Sequence, residues 1–252
     1  MRTADWTEAV SVLDRVAAVF DAFGENDDGL GVSELARRAN LPKSTVSRIA
    51  AELVGQRFLD REGDKLYLGF RLFELGQTVE QPRRLRQLAL PVMTELRNLT
   101  GHTVELAVLD GADVVLIAIV RGQHTPTSAG RLGGRLPAHA TALGKAILAF
   151  SAQEVVDVIA DGWLEPRTIR EPSSLLRELT ETRRSGIATE REECAVGRAS
   201  VASPILGHGA VPVAAISVIA HAEEFAADRV SPVVRAAALS LSRRVCAAGR
   251  TL

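Results

Sequence analysis

The chain has 252 residues, of which 46% are apolar, and its formal net charge is −1. This composition supports a packed core in one or two domains, and it excludes a disordered chain and a uniformly basic nucleic-acid coat protein. Two cysteines, Cys194 and Cys246, provide neither a disulfide framework nor a zinc motif. The sequence has no apolar signal segment and no run of about 18 apolar residues, so we expect a cytoplasmic protein that does not enter a membrane.

Residues 10–24 form the first predicted element, an amphipathic helix that ends at Gly24. Residues 31–55 then predict two further short helices. In the second of these, apolar residues recur at i, i+3, i+4, i+7 and i+8 from Val46, the pattern of a helix that buries one side. Pro42 cannot continue the preceding helix but suits the entry to the next one, and Ser33 stands where an N-cap is expected.

A β-hairpin is predicted directly after these helices. It pairs residues 58–61 with residues 65–68 across the turn at residues 62–64, and both arms carry basic residues. Residues 35–59 contain five cationic side chains against one acidic side chain, so this stretch is locally basic. Two helices followed by a basic hairpin indicate a winged helix-turn-helix.

The open face of the second helix carries short polar side chains and one arginine. Such a helix can lie close in a DNA major groove, with hydroxyls on phosphates and Arg48 on a guanine edge. The hairpin would place its basic residues near the backbone or the minor groove. The alternative is a helix-turn-helix within an ordinary helical core, which the local positive charge disfavours. The predicted DNA-contacting residues are Ser33, Lys43, Ser44, Thr45, Ser47, Arg48, Arg61 and Lys65.

A hinge is predicted at residues 76–82 and an amphipathic helix at residues 83–99, in which Pro91 should produce a kink or a restart. The apolar stripe of this helix has two interpretations. It either pairs with its copy in a second subunit or covers the sheet of the following domain, and spacing alone does not separate the two.

From Gly101 onward, strands alternate with helices, which predicts an α+β domain with the build of a sensor. A Gly-rich loop at residues 122–134 separates the first hairpin from the first helix. Strands are predicted at residues 103–109, 114–120, 199–205 and 213–219. Helices are predicted up to Phe150, at residues 173–185 and at residues 230–247, and a capping box at residues 151–154 predicts the start of another.

Three blocks of sequence together resemble one family. They are SELARRANLPKSTVSRIAAEL, RLPAHATALGKAILAF, and GIATEREECAVGRASVASPI followed by AAISVIA. In order and spacing the whole chain resembles an IclR-family transcriptional regulator. The resemblance implies a winged DNA-binding domain over residues 1–76, a linker and dimerisation helix over residues 77–100, and a GAF-like α+β effector-binding domain over residues 101–252. It also implies that the effector is a small organic or aromatic acid.

The physical case for an effector site rests on polar groups in apolar surroundings. Ser200 and Ser217 are hydroxyls in apolar strands, and each needs either a backbone carbonyl or a ligand as partner. The helix start at residues 141–144 favours an anion, and Arg198 would add a cation if it faces inward rather than toward solvent. The family resemblance implies effector contacts at several of these positions. The predicted effector contacts are Ala142, Leu143, Glu190, Arg198, Ser200, Ser217 and Ile219.

The sequence therefore predicts a ligand-responsive transcription factor, with a repressor favoured over an activator. It would act without cofactor or metal, bind double-stranded operator DNA with two-fold symmetry, and assemble as a homodimer or a tetramer. An enzyme is disfavoured, because the scattered His and Cys residues lack ligand spacing such as HExxH or CxxC. The remaining alternative is a winged-helix module used only for protein interaction or dimerisation.

Overall fold

The structure is a computed structural model that describes residues 11–24, 27–123, 130–151 and 165–248. The chain forms two compact units, Met1–Glu80 and Gln81–Leu252. Within the described ranges no helix combines the length and the apolar character that a membrane crossing requires.

The first unit is a helical domain with a small antiparallel sheet in the strand order β1-β3-β2. This arrangement confirms the winged helix-turn-helix, with β2 and β3 forming the predicted hairpin. The short strand β1, which the sequence did not predict, adds a third strand. The elements are α1 (Val12–Asp21), β1 (Leu30–Gly31), α2 (Val32–Arg38), α3 (Lys43–Gly55), β2 (Leu59–Glu62), β3 (Lys65–Leu68) and α4 (Phe70–Thr78).

Two helix starts in this unit depend on local chemistry. The Ser11 hydroxyl accepts the Asp14 N–H, and the Asp14 carboxylate accepts the Ser11 N–H, so a capping box begins α1 later than predicted. The prediction that Ser33 caps α2 is wrong. Gly31 is the N-cap residue and forms no side-chain cap, because β1 brings the chain to the helix start in an extended conformation. Ser33 is the second residue of α2, and its side chain is exposed.

The hinge predicted at residues 76–82 is much shorter in the structure. Helix α4 continues to Thr78 and helix α5 begins at Glu80, so that only Val79 between them is extended. No side chain of α4 is buried.

The second unit is an α+β domain built on one six-stranded antiparallel sheet in the order β6-β5-β4-β9-β8-β7. The four predicted strands and the helices after residue 165 are confirmed, whereas β6 and β7 were not predicted. The elements are α5 (Glu80–Thr100), β4 (Thr103–Asp110), β5 (Asp113–Val120), β6 (Arg135–Pro137), α6 (Ala142–Leu148), α7 (Pro172–Ser185), β7 (Ala188–Arg191), β8 (Arg198–Leu206), β9 (Pro212–His221) and α8 (Ala227–Ala247). The capping box predicted at residues 151–154 extends outside the described residues.

Helices cover both faces of this sheet. Helices α5 and α8 pack on one face, where alternate residues of β4, β8 and β9 form the larger core. The buried stripe of α5 includes Leu85, Met93 and Leu96, so this stripe covers the sheet. The helix also runs without interruption through Pro91, because burial on either side of the proline holds both halves against the same surface.

The other face of the sheet lies against α6 and α7. Every residue of α6 is buried, and the Thr141 hydroxyl caps the helix by accepting the Gly144 N–H at 3.1 Å. At Gly144 a Cβ atom would overlap the backbone of Ala138, so only glycine lets these two segments approach so closely.

We therefore expect Gly144→Ala to lower the free energy of unfolding of the second unit by about 1–3 kcal/mol, since the clash is with backbone that cannot rotate away. Denaturant unfolding followed by circular dichroism measures the change. Gly55→Ala is the matched control, because a Cβ at that helical glycine meets nothing within 4 Å. Equal unfolding midpoints for the two variants would contradict the account of α6 packing.

Candidate functional site

Helix α3 presents one apolar face to the core and one polar face to solvent. Its buried residues, Val46, Ile49, Ala50 and Leu53, pack into the core of the first unit. Because a helix repeats every 3.6 residues, burying this stripe fixes which side chains point outward. Those in the first half of the helix are Lys43, Ser44, Ser47 and Arg48, which are exposed, and Thr45, which is half-buried.

Arg48 is the long cationic side chain on this face. It forms no hydrogen bond or ion pair with any described residue, whereas several other arginines of the unit do. Its guanidinium is therefore available to an external acceptor, and a bidentate contact to a guanine edge is the strongest one that DNA offers. The small hydroxyl side chains beside Lys43 leave room for a phosphate backbone to approach, and Lys43 adds a positive charge there.

The neighbouring arginines of α2 are already neutralised. Arg37 and Arg38 both bind the carboxylate of Glu34, and Arg38 also binds Asp27 at 2.7 Å. These two guanidiniums lower the pKa of Glu34 to about 2, so the carboxylate stays ionised. The locally basic character counted from the sequence is therefore smaller in the fold, and the free positive charge lies on α3 and the hairpin.

The hairpin of β2 and β3 turns at Gly63, whose φ of +61° suits glycine, and pairs Glu62 with Lys65. The two predicted cations on it differ. Arg61 is exposed and forms no ion pair with a described residue, whereas the Lys65 ammonium binds the Asp28 carboxylate at 3.1 Å and its carbonyl at 2.6 Å. A phosphate would have to compete with Asp28 for Lys65.

In the second unit, five of the seven predicted effector residues lie on neighbouring strands of the sheet. Residues opposed in antiparallel strands share a face, and the register places Ser217 between Glu105 and Ala202. Ala202 belongs to the core on the α6 side, so this row faces α6. The next row contains Glu190, Ser200 and Ile219 on three adjacent strands. All seven predicted residues are buried, and Ala142 and Leu143 lie in α6, which packs on this face.

Arg198 is buried among carboxylates, with only 1% of the residue exposed. Its Nη2 lies 3.2 Å from Oε2 of Glu105, and its Nε lies 3.5 Å from Oε2 of Glu190. The same Glu190 oxygen accepts the hydroxyl of Ser200 at 2.9 Å, and burial raises the pKa of Glu190 against these interactions. Arg198 thus faces inward, but it is engaged by two glutamates and is not an uncompensated cation.

A second charge cluster, centred on the buried Lys145, joins α6 to α7 and to the loop after β7. The Lys145 ammonium binds Glu178 at 2.7 Å and Glu193 at 2.8 Å. Burial raises the pKa of Glu193 to about 7 even though Lys145 lies against it, and Glu193 donates its backbone N–H to Glu190. The two clusters are therefore connected through the backbone at Glu193.

Two further buried groups, Cys194 and His139, bear on whether the second unit could be an enzyme or a metal site. Burial raises the pKa of Cys194 to about 11, which keeps the thiol protonated and argues against a cysteine nucleophile. His139 is 2% exposed and neither ring nitrogen has a hydrogen-bond partner among the described residues; burial lowers its pKa and favours the neutral ring. No group of three His, Cys, Asp or Glu side chains in the described ranges could hold a metal ion.

Sequence reasoning missed Glu105 and Lys145. Each had a detectable signal, since Glu105 is a carboxylate inside an apolar strand and Lys145 is a cation inside an apolar helix. Such residues are almost never fully buried unless they are paired, so they predict buried partners. The predicted anion site at the start of α6 is weakened, because Thr141 already satisfies the Gly144 N–H.

A cavity of about 730 Å³ lies between α7 and α8, beside β7. Its lining includes Thr182, Ile187, Thr189 and Arg235. A smaller cavity of about 230 Å³ lies between α5 and α8. None of the predicted effector residues lines either of these cavities.

Both parts of the chain match known families. Residues 12–63 match the IclR helix-turn-helix domain, and residues 77–244 match the bacterial transcriptional regulator IclR C-terminal domain. Two relatives from Escherichia coli K12 are each 31% identical. The transcriptional repressor IclR aligns over 91% of this chain and 86% of its own length, and the HTH-type transcriptional regulator XynR over 82% and 85%.

A solved structure is similar over nearly its whole length. It is an IclR homologue from Microbacterium hydrocarbonoxydans in complex with 4-hydroxybenzoate, with a TM-score of 0.84 and 30% identity. The similarity covers 93% of this chain and 99% of that one. The fold, the two matched domains and these relatives agree: the chain belongs to the IclR family of DNA-binding transcriptional regulators, a family of regulators with C-terminal effector domains and not of enzymes.

Proposed function

We propose that the protein is a homodimeric repressor that binds a palindromic operator, and that binding of a small organic acid raises or lowers its affinity for that operator. Residues 1–76 would read DNA, residues 77–100 would link the two parts, and residues 101–252 would bind the effector. The observation that carries the proposal is Arg48, which is exposed on the polar face of α3 and pairs with none of the described residues. Because the protein would act on chromosomal DNA, we place it in the cytoplasm.

Most of the proposed DNA-contacting residues are exposed, and Arg48 and Arg61 form no ion pair with a described residue. Arg48 would read a base edge, and the small hydroxyls and Lys43 would hold the phosphate backbone. Arg61 would reach the backbone from the hairpin, whereas Lys65 would contribute less because Asp28 holds it. The proposed contacts remain Ser33, Lys43, Ser44, Thr45, Ser47, Arg48, Arg61 and Lys65.

Support for a dimer comes from α4. This helix leaves Phe70 62% exposed, Phe73 58% exposed and Leu75 47% exposed, and the two aromatic rings lie 5.3 Å apart. An apolar surface of this kind indicates a protein partner, and a second copy of the chain would pair α4 with α4. The buried stripe of α5 is already used by the sheet, so we assign dimerisation to α4 and leave tetramer formation to other surfaces.

Support for the effector and for repression comes from the relatives. The Microbacterium homologue binds 4-hydroxybenzoate, and the Escherichia coli IclR protein is a repressor. We propose a small organic or aromatic acid as effector, in contact with Ala142, Leu143, Glu190, Arg198, Ser200, Ser217 and Ile219. The coupling between effector and DNA would then amount to about 1–3 kcal/mol, or 5–150-fold in DNA affinity.

Arg48→Ala should weaken binding to the specific operator by about 1–3 kcal/mol and relax the preference at one base pair, because a bidentate base contact is lost. Quantitative mobility-shift titrations on the operator and on single-base variants measure both effects. Arg184→Ala removes the same charge from an exposed site on α7 and should change neither. An equal loss on all sequences would reduce Arg48 to a phosphate contact. Unchanged binding would favour the interaction module.

Phe73→Asp should convert the dimer to a monomer and weaken operator binding, because a charge would be buried where two α4 helices meet. The residue is exposed in the single chain, so the variant should fold normally. Analytical ultracentrifugation gives the mass in solution. Leu132→Asp, at a position that is 53% exposed in the second unit, is the control. A dimer that survives Phe73→Asp would place the interface elsewhere.

A further inference from the structure

We infer that the effector site presents an uncharged hydrogen-bonding subsite at Ser217 and rejects a carboxylate there, so that the ligand meets the sheet through a hydroxyl or a similar neutral group. The inference rests on the proposed effector function and specifies the chemistry of that same site. For an acid that carries a hydroxyl, it means that the hydroxyl lies on the sheet and the carboxylate points away from it.

Ser217 provides the first observation. The residue is 0% exposed, and its Oγ has no hydrogen-bond partner among the described residues. Buried hydroxyls are nearly always hydrogen-bonded, because a hydroxyl that gives up water without a partner destabilises the fold. Ser200, one row away on the next strand, satisfies this rule by donating to Glu190. The donor and acceptor of the Ser217 hydroxyl therefore call for a partner that the described residues do not provide.

The charge around Ser217 is the second observation. Glu105 stands directly opposite on β4, and Glu190 lies in the neighbouring row, so two carboxylates accompany the single guanidinium of Arg198. Carboxyl groups thus outnumber the one basic group next to Ser217. Burying a further anion among them would add like-charge repulsion in a medium that screens it poorly.

Arg198 does not offset this imbalance. A ligand carboxylate that took the place of Glu105 or Glu190 on Arg198 would leave the displaced carboxylate buried without its cation. Glu105 is held further by the Gly130 N–H at 3.2 Å, and Glu190 accepts the N–H groups of Glu193 and Cys194. The glutamates are fixed in place, and the subsite that remains is the neutral hydroxyl of Ser217.

Three probes separate a hydroxyl subsite from a carboxylate subsite: phenol, benzoate and 4-hydroxybenzoate. Binding to the full-length protein is measured by titration calorimetry. Phenol and 4-hydroxybenzoate should bind, and benzoate should bind about 2- to 13-fold more weakly than 4-hydroxybenzoate, the range that one net hydrogen bond provides. If benzoate binds as tightly as 4-hydroxybenzoate while phenol does not bind, the carboxylate is the recognised group and the inference is wrong.

Two variants test the residues. Ser217→Ala should weaken phenol and 4-hydroxybenzoate by about 2- to 13-fold, the range of a single hydrogen bond, and leave benzoate unchanged. Glu105→Gln should strengthen benzoate, because it removes one of the repelling charges. The control is Ser203→Ala, at a buried serine of β8 whose hydroxyl is satisfied by the Gly186 carbonyl and which should alter none of the three affinities. A merely structural role for Ser217 would weaken all three probes equally, and that result would contradict the inference.

Operator binding is measured with the same preparations, so that failure of the proposed DNA-binding function can be told apart from failure of the proposed hydroxyl subsite. If the protein binds its operator but no probe binds at millimolar concentration, the hydroxyl subsite is refuted and the regulator stands. If the probes bind as expected but no specific operator complex forms, the proposed DNA function fails and the ligand site stands. Circular dichroism spectra identical to that of the unsubstituted protein confirm that each variant is folded.

Discussion

Burial of the six-stranded sheet on both faces is the constraint on which the rest of the second unit depends. Helices α5 and α8 cover one face with an apolar core, and the face against α6 and α7 contains the buried polar residues Glu105, Glu190, Arg198 and Ser217 among apolar ones. In such an interior each polar group must find a partner. Arg198 contacts Glu105 and Glu190, and Lys145 contacts Glu193, whereas Ser217 has no hydrogen-bond partner among the described residues. The proposed effector site lies where this rule is satisfied least completely.

Burial of one face of helix α3 likewise determines which residues form the proposed DNA-reading surface. Burying the stripe that contains Val46 and Ile49 determines that Ser47 and Arg48 face outward. Ion pairing then distinguishes the cations, because Arg37 and Arg38 are bound to acidic neighbours, whereas Arg48 pairs with no residue in the described part of the chain. A side chain without such a partner can bind a base edge, which is the role proposed for Arg48. A dimer formed through α4 would present two such helices to one operator.

Sequence reasoning succeeded where the local spacing of apolar and turn residues determines the structure. The helix-turn-helix and the hairpin followed from apolar spacing and from the turn residues, and the strands of the second unit from runs of small and apolar residues. Sequence reasoning failed where contacts between distant parts of the chain determine the structure. Strand β1 contains only Leu30 and Gly31 and forms because it pairs with β3. Since Gly31 ends this strand and begins α2, Gly31 and not Ser33 is the N-cap residue. The partners of Arg198 come from β4 and β7, and no local pattern in the sequence links those strands.

The central claim is sequence-specific DNA binding through α3, and unbiased selection of DNA sites with the purified protein tests it most directly. The account predicts a palindromic consensus with half-sites about one helical turn apart, or a multiple of it, bound with a steep dependence on salt. Enrichment of no sequence, with weak binding that is equal for all DNA, would contradict the account and identify the winged helix as an interaction module.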